Sequence, residues 1–197
     1  MTRFVGLTGG IGAGKSEALA AFERLGAKTL STDRVTHELL GDAEVRGALI
    51  ERWGDDVAPA GEVDRDRVAE IVFGKPDELK WLESQLHPRV GMHVLQWREG
   101  LGYEVEVGVV EVPLLFEAAM QDAFDATVAV VADDEIRDVR LRERGQGGLA
   151  GREERQLSQA EKEERADHVI RNNGTVEELE SEVRRVMEDL GATRVGG

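Results

Sequence analysis

The chain is expected to fold as an α/β protein on a parallel sheet, with a helical insertion in its first half and a lid-like excursion in its second. Three observations predict this. A glycine-rich loop, Gly9-Gly10-Ile11-Gly12-Ala13-Gly14-Lys15-Ser16, lies between an apolar run at 4–7 and a helical pattern at 17–25. Further apolar runs of strand length at 28–30, 103–112, 126–131 and 168–170 are separated by helical patterns. Between Asp42 and Gly102 no strand-like run occurs.

The first run, Phe4-Val5-Gly6-Leu7, is continuously apolar, as a strand buried on both faces must be. Leu19, Phe22 and Leu25 then recur at helical spacing until Gly26 stops the helix. Lys28-Thr29-Leu30 reads as a second strand that ends at Ser31-Thr32-Asp33, with helical material through Leu40. In the strandless stretch a turn is expected around Ala58-Pro59-Ala60-Gly61, a helix near Asp64, and another opening at Pro76. His87-Pro88 is expected to join two helical pieces, with Pro88 at a first helical position. Residues 136–144 read as a helix, 145–151 as a glycine-rich turn, and 152–165 as charged helical material in which Lys162 and Arg165 look like surface charges. The chain closes on an amphipathic helix at 175–190, its stripe formed by Val176, Leu179, Val183, Val186 and Leu190.

The loop fits G-x-x-x-x-G-K-[ST], and its setting between strand and helix gives that pattern physical content. Backbone N–H groups converge where the helix begins, so a polyphosphate can be held there. The glycines permit close approach, Lys15 places a point charge, and the Ser16 hydroxyl can ligate Mg²⁺. A nucleoside triphosphate is the expected ligand. A dinucleotide is not, because Gly10-Ile11-Gly12-Ala13-Gly14 closes one residue too early for G-x-G-x-x-G.

With 197 residues and 41% hydrophobic content, one core carrying an insertion is sufficient. The formal net charge is −15, which argues against general attraction to nucleic acid or anionic membrane and makes any cluster of arginines informative. There is no cysteine, so neither disulfides nor thiolate chemistry arise. His37, His87, His93 and His168 have no metal-ligand spacing. A soluble, cytoplasmic protein is expected, with no signal peptide and no membrane span.

Several residues outside the loop could carry chemistry, each with a plainer alternative. Asp33, at a strand's carboxyl end, takes a proton from an attacking hydroxyl or holds Mg²⁺ through water, or else caps the following helix. Thr8 either faces substrate or satisfies loop backbone. Glu111 reaches a metal-bound water or is a polar strand end, and Glu117 has the same ambiguity. His87 touches ligand, or caps or packs. Arg140 and Arg144, four apart on one helix face, repel each other unless an anion such as phosphate lies opposite; alone, they read as a solvated helix with Asp138 and Glu143.

Taken together, Gly6-Leu7-Thr8 with the loop, Asp33, Leu86-His87-Pro88, Val112-Pro113-Leu114-Leu115-Phe116-Glu117, Arg140 with Arg144, Gln159 near Lys162, and Ala166-Asp167-His168-Val169-Ile170-Arg171-Asn172-Asn173-Gly174 resemble the dephospho-CoA kinase family, in order and over nearly the whole chain. That resemblance implies a three-layer P-loop kinase core at 1–34, 103–136 and 166–197, a helical CoA-substrate-binding insertion at 35–102, and a lid at 137–165. It implies phosphorylation of the ribose 3′-hydroxyl of 3′-dephospho-CoA by ATP with Mg²⁺, giving CoA and ADP. Asp33, Lys15 and Arg140 would be catalytic. Gly10, Ile11, Gly12, Ala13, Gly14, Lys15, Ser16, Glu17 and Arg144 would bind nucleotide, with Ser16 also on the metal, and Thr8, Asp33, His87 and Leu114 would meet the acceptor. The partner is then a small molecule, with neither nucleic acid nor membrane involved, and the chain a monomer or weak homo-oligomer. Two departures stand out: Ser31-Thr32-Asp33 where relatives often carry Asp-x-Asp, and Glu17 where they often carry Thr. The rival readings are another small-molecule kinase, such as a nucleoside monophosphate kinase, and a nucleotide-sensing module that transfers nothing.

Overall fold

The computed structural model describes residues 2–145 and 156–192. Five strands form one parallel sheet: β1 (Arg3–Gly9), β2 (Lys28–Ser31), β3 (Val107–Glu111), β4 (Ala126–Val131) and β5 (His168–Arg171), in the order β2-β3-β1-β4-β5. Helices α1 (Lys15–Arg24), α2 (Thr32–Leu40), α3 (Ala43–Trp53), α4 (Arg65–Val72), α5 (Pro76–Glu99), α6 (Asp134–Glu143), α7 (Gln159–Arg165) and α8 (Val176–Asp189), with 3₁₀ turns at Asp55–Val57, Pro59–Gly61 and Gln121–Ala123, complete the described elements. The chain divides into two compact units, one of residues 1–31 and 100–197, the other of 32–99.

In the sheet-bearing unit, β1 is central and nearly all of it is buried. Its side chains alternate between two faces. Val5 and Leu7 meet Val107, Val109, Val128, Val130 and Ile170 under Ala18, Ala21 and Phe22 of α1 and Leu179, Val183 and Met187 of α8. The opposite face is covered by the segment after β3, where Phe124 stacks on Phe4 with ring centroids 4.9 Å apart. This is the expected three-layer α/β arrangement.

The punctuation is local chemistry. Helix α1 ends at Gly26 (φ 100°), where the Gly26 N–H donates to Glu23 O and the Ala27 N–H to Phe22 O, each at 3.0 Å. Those paired bonds satisfy carbonyls that a helix end otherwise leaves orphaned. Helices α7 and α8 open on reciprocal capping boxes, Ser158 with Glu161 and Thr175 with Glu178. In α8 Leu179, Val183, Val186 and Met187 are buried, whereas Val176 is about half exposed and does not belong to the stripe.

In the other unit, Leu40, Val45, Leu49, Val57, Val68, Leu82 and Leu86 form a separate core. Asp64 caps α4 through bonds to Asp66 and Arg67 N–H, both at 3.0 Å, as the sequence leads one to expect. The expected break at His87-Pro88 is absent: α5 runs through Pro88 as one helix of 24 residues. The ring of Pro88 takes the N–H partner from the carbonyl of Ser84, four residues back, but Ser84 and Pro88 are both exposed, where water can serve that carbonyl. The strand expected at 103–112 is shorter than its pattern, because Val105 N–H turns back to Gly102 O at 3.0 Å and β3 begins only at Val107.

Candidate active site

The loop Gly9–Ser16 sits where β1 runs out and α1 begins. At the N-cap, Gly14 has φ 95°, and a Cβ there would lie 2.1 Å from Asn172 Nδ2. Both backbone angle and space therefore demand glycine. The Lys15 ammonium bends back over the loop and donates to Gly9 O and Gly10 O, each at 3.1 Å. Ser16 and Glu17 are exposed on the first turn of α1. Glu17 pairs at 3.1 Å with Arg24, two turns further along the helix, where the exposed pair has little energetic weight.

Three side chains from distant segments grip the loop's outer side. Arg137 donates through Nε to Ile11 O at 2.8 Å and pairs with Asp134 at 2.9 Å. Arg140 reaches Ala13 O at 3.4 Å, and Asn172 Nδ2 donates to the same carbonyl at 2.9 Å. Partial burial, and then the nearby charge of Arg144, lower the Arg140 pKa from its ordinary value. Arginine stays protonated even so, and an anion placed there would relieve both penalties. Arg144 itself is exposed at the end of α6. Gln159 clamps the residue after β4 with both halves of its amide, accepting from Ala132 N at 3.0 Å and donating to Ala132 O at 2.8 Å.

Beneath the loop is a buried polar cluster. Thr8 is fully buried and its hydroxyl donates to Pro113 O at 3.1 Å, the backbone-satisfying alternative for this residue. Lys162 donates to the same carbonyl at 2.8 Å and pairs with Glu117 at 3.0 Å. Lys162 is fully buried, which overturns its reading as a surface charge. The stretch Gln159–Arg165 is charged on most sides, so its pattern hides the one lysine that turns inward to a carboxylate far away in sequence. Glu117 Oε1 also accepts the Leu157 N–H at 2.8 Å, while Oε2 is buried without a partner among the described residues. Leu114 is half-buried in the turn that Pro113 opens. Glu111 closes β3 in register with Leu7 and Ser31 and is only 4% exposed.

Asp33 is the second residue of α2, two past the end of β2, and is exposed. It stands inside the helix rather than at its N-cap, and its carboxylate makes no hydrogen bond among the described residues, so the capping alternative has no support. His87 is exposed on α5. Of the expected lid at 137–165, α6 and α7 are described, whereas 146–155, with most of the glycine-rich turn and the start of the charged stretch, lie outside the described residues.

Arg137, Gln159 and Asn172 were not singled out for chemistry by sequence reasoning. The available signal was the helical spacing of Arg137 with Arg140 and Arg144. No helix among the described residues is long and apolar enough to cross a membrane.

Comparison with known proteins follows the same outline. The family model described as "Dephospho-CoA kinase" matches residues 3–178. A dephospho-CoA kinase of Streptomyces avermitilis is 38% identical over 192 residues, spanning 94% of this chain and 93% of that protein. Among solved structures, the TT1252 protein of Thermus thermophilus superposes with a TM-score of 0.80 at 30% identity, covering 96% of this chain and 98% of the other. A dephospho-CoA kinase from Campylobacter jejuni, 23% identical, shares the fold with a TM-score of 0.68 over 96% of this chain and 97% of that one.

Proposed function

The chain belongs to the dephospho-CoA kinase family, and from that premise we propose that it transfers the terminal phosphoryl group of ATP to the ribose 3′-hydroxyl of 3′-dephospho-CoA, giving CoA and ADP, the last step of CoA biosynthesis. The observation that carries the reading is the family match across 3–178 together with a glycine-demanding loop whose lysine lies over its own carbonyls.

Asp33 accepts the proton of the 3′-hydroxyl as that oxygen bonds to the γ-phosphorus and the bond from phosphorus to the β,γ-bridging oxygen breaks, leaving ADP. An exposed carboxylate without a hydrogen-bond partner among the described residues is suited to this task. Loop N–H groups and Lys15 hold the β- and γ-phosphates, with Lys15 exchanging carbonyl contacts for phosphate oxygens. Arg140 and Arg144 neutralise charge on the transferring group. Glu17 stands at the nucleotide end of α1; Leu114 and His87 are assigned to the acceptor, residues 35–102 to its CoA moiety, and 137–165 to the lid. Thr8 supports the loop from beneath through Pro113.

Mg²⁺ fits the residues present. No group of three or more acidic or histidine side chains among the described residues forms a cage, and none is needed, since Mg²⁺ bound with nucleotide takes most of its ligands from phosphates and water. The exposed Ser16 hydroxyl, unbonded among the described residues, is the protein oxygen that would hold it. Held there, Mg²⁺ would offset the negative charge of the phosphates. We place the enzyme in the cytoplasm as a monomer or weak homo-oligomer, acting on a small molecule and on neither nucleic acid nor membrane.

The test is mass-spectrometric detection of CoA formed from 3′-dephospho-CoA and MgATP, set against nucleoside monophosphate acceptors. Asp33→Asn should lower turnover by roughly 10²–10⁴-fold, the range for loss of a general base, while ATP still binds. Near-normal turnover in that variant removes Asp33 from the mechanism, and turnover only with nucleoside monophosphates removes the assigned acceptor.

A further inference from the structure

Asn172 is 5% exposed at the end of β5, and its own N–H is fixed to Val131 O at 2.8 Å. Its side-chain amide has two neighbours of opposite demand. Nδ2 donates to Ala13 O of the phosphate loop at 2.9 Å, and Oδ1 accepts from Arg140 Nη2 at 3.3 Å. Turning the amide over would put its NH₂ against the guanidinium and its oxygen against a carbonyl, so the neighbours determine its orientation. The next residue ties down the same helix: Asn173 Oδ1 accepts the N–H of Asp133, the residue before α6, at 2.8 Å. Helix α6 is thus held at its start by Asn173 and along its length by Asn172.

We infer that Asn172 is a positioning residue for phosphoryl transfer: one amide sets the direction of the Arg140 guanidinium and the curvature of the phosphate loop together. The inference rests on the reading of Arg140 as a phosphate-neutralising cation. Arg140 holds Ala13 O at 3.4 Å and Asn172 at 3.3 Å, both long bonds that aim the guanidinium yet release it readily to a stronger acceptor. A neutral amide suits this better than a carboxylate, which would compete with phosphate for the cation. The loop arm is shorter, and Gly14 lies against the same Nδ2, so the amide also fixes where the loop turns into α1.

A double-mutant cycle on steady-state rates tests it, with far-UV circular dichroism confirming that each variant is folded. Arg140→Ala should lower kcat by about 10²-fold or more, by analogy with other cationic groups at the transferring phosphate. Asn172→Ala should lower kcat about tenfold, and adding it to Arg140→Ala should cost less than about a further twofold, because the residue it positions is gone. Asn172→Asp keeps an acceptor for Arg140 but adds a charge that competes with phosphate for the guanidinium and sets a carboxylate against Ala13 O; it should raise KM for ATP and lower kcat at least as far as Asn172→Ala, and it serves as the informative variant if the alanine fails to fold. Full multiplication of the two alanine effects, or an aspartate variant that keeps the parent's kcat, overturns the positioning role. An unchanged kcat in Arg140→Ala defeats the underlying reading of Arg140, and the inference with it.

Discussion

The buried Lys162–Glu117 pair makes the sharpest stability prediction. Lys162→Met keeps the stem's length and apolar contacts but removes the ammonium that serves Glu117 at 3.0 Å and Pro113 O at 2.8 Å. Glu117 is only 14% exposed, and one of its oxygens already lacks a partner among the described residues, so the stranded charge has little access to water. Breaking a buried pair from one side costs about 3–5 kcal/mol. At roughly 2–4 °C per kcal/mol for a chain of this length, Tm should fall by about 6–20 °C. Glu117→Gln added to Lys162→Met removes the second charge, and its amide oxygen can still accept the Leu157 N–H, so the double variant should recover most of the loss. The assay is urea and thermal unfolding followed by far-UV circular dichroism. Guanidinium chloride screens the charges at issue, and all three tryptophans, Trp53, Trp81 and Trp97, lie in the 32–99 unit rather than in the one under test. A Tm within about 2 °C of the parent for Lys162→Met, or a double variant as unstable as the two single losses added together, would refute the reasoning.

Two further outcomes are expected. Gly14→Ala forces a Cβ into left-handed backbone and to within 2.1 Å of Asn172 Nδ2, which is buried and bonded, so ATP affinity measured by titration calorimetry should fall about tenfold or more, and normal affinity would contradict the loop geometry. Asp167 takes the N–H and hydroxyl of buried Thr127, both at 2.8 Å, and the Thr127 hydroxyl bond above all holds its carboxyl below the usual aspartate range. A depressed folded-state pKa contributes stability above the unfolded value that is lost as pH falls through the folded one. Asp167→Asn should therefore lower Tm at pH 7, with the gap closing below about pH 3.9, the ordinary aspartate value; a gap independent of pH would remove the charge from the explanation.

What was legible in the sequence was what is local. The run from β1 through the loop into α1 is contiguous, and its turn chemistry depends on residues a few positions apart, as do the caps at Asp64 and Thr175. The Asp33 position follows from the end of a single strand. Illegible were contacts that only the sheet topology creates. Arg137 meets Ile11 across 126 positions, and Asn172 meets Ala13 across 159, because β1, β4 and β5 lie side by side in space. Lys162 was hidden for another reason: Glu161, Glu163 and Glu164 around it make a solvated helix by pattern, and nothing nearby announces that Glu117 waits at the inward face. Pro88 misled because propensity punishes a proline in mid-helix without registering that on an exposed face solvent can serve the carbonyl the ring leaves without its N–H.

The distribution of cations explains how a chain of net charge −15 can handle a polyphosphate. Long-range attraction is unavailable, so binding depends on cations placed within a few ångströms. Lys15 rests on the carbonyls of Gly9 and Gly10, and Arg140 on a carbonyl and an amide. Neutral acceptors orient a cation without cancelling its charge. Lys162, by contrast, is matched with a carboxylate and withdrawn from solvent. On the roles proposed above, Lys15 and Arg140 would turn from backbone and amide oxygens to the phosphates, while Lys162 holds the framework beneath the loop. Surface screening should then affect the encounter with ATP more than the contacts made once it is bound, because the first acts across solvent and the second within the loop.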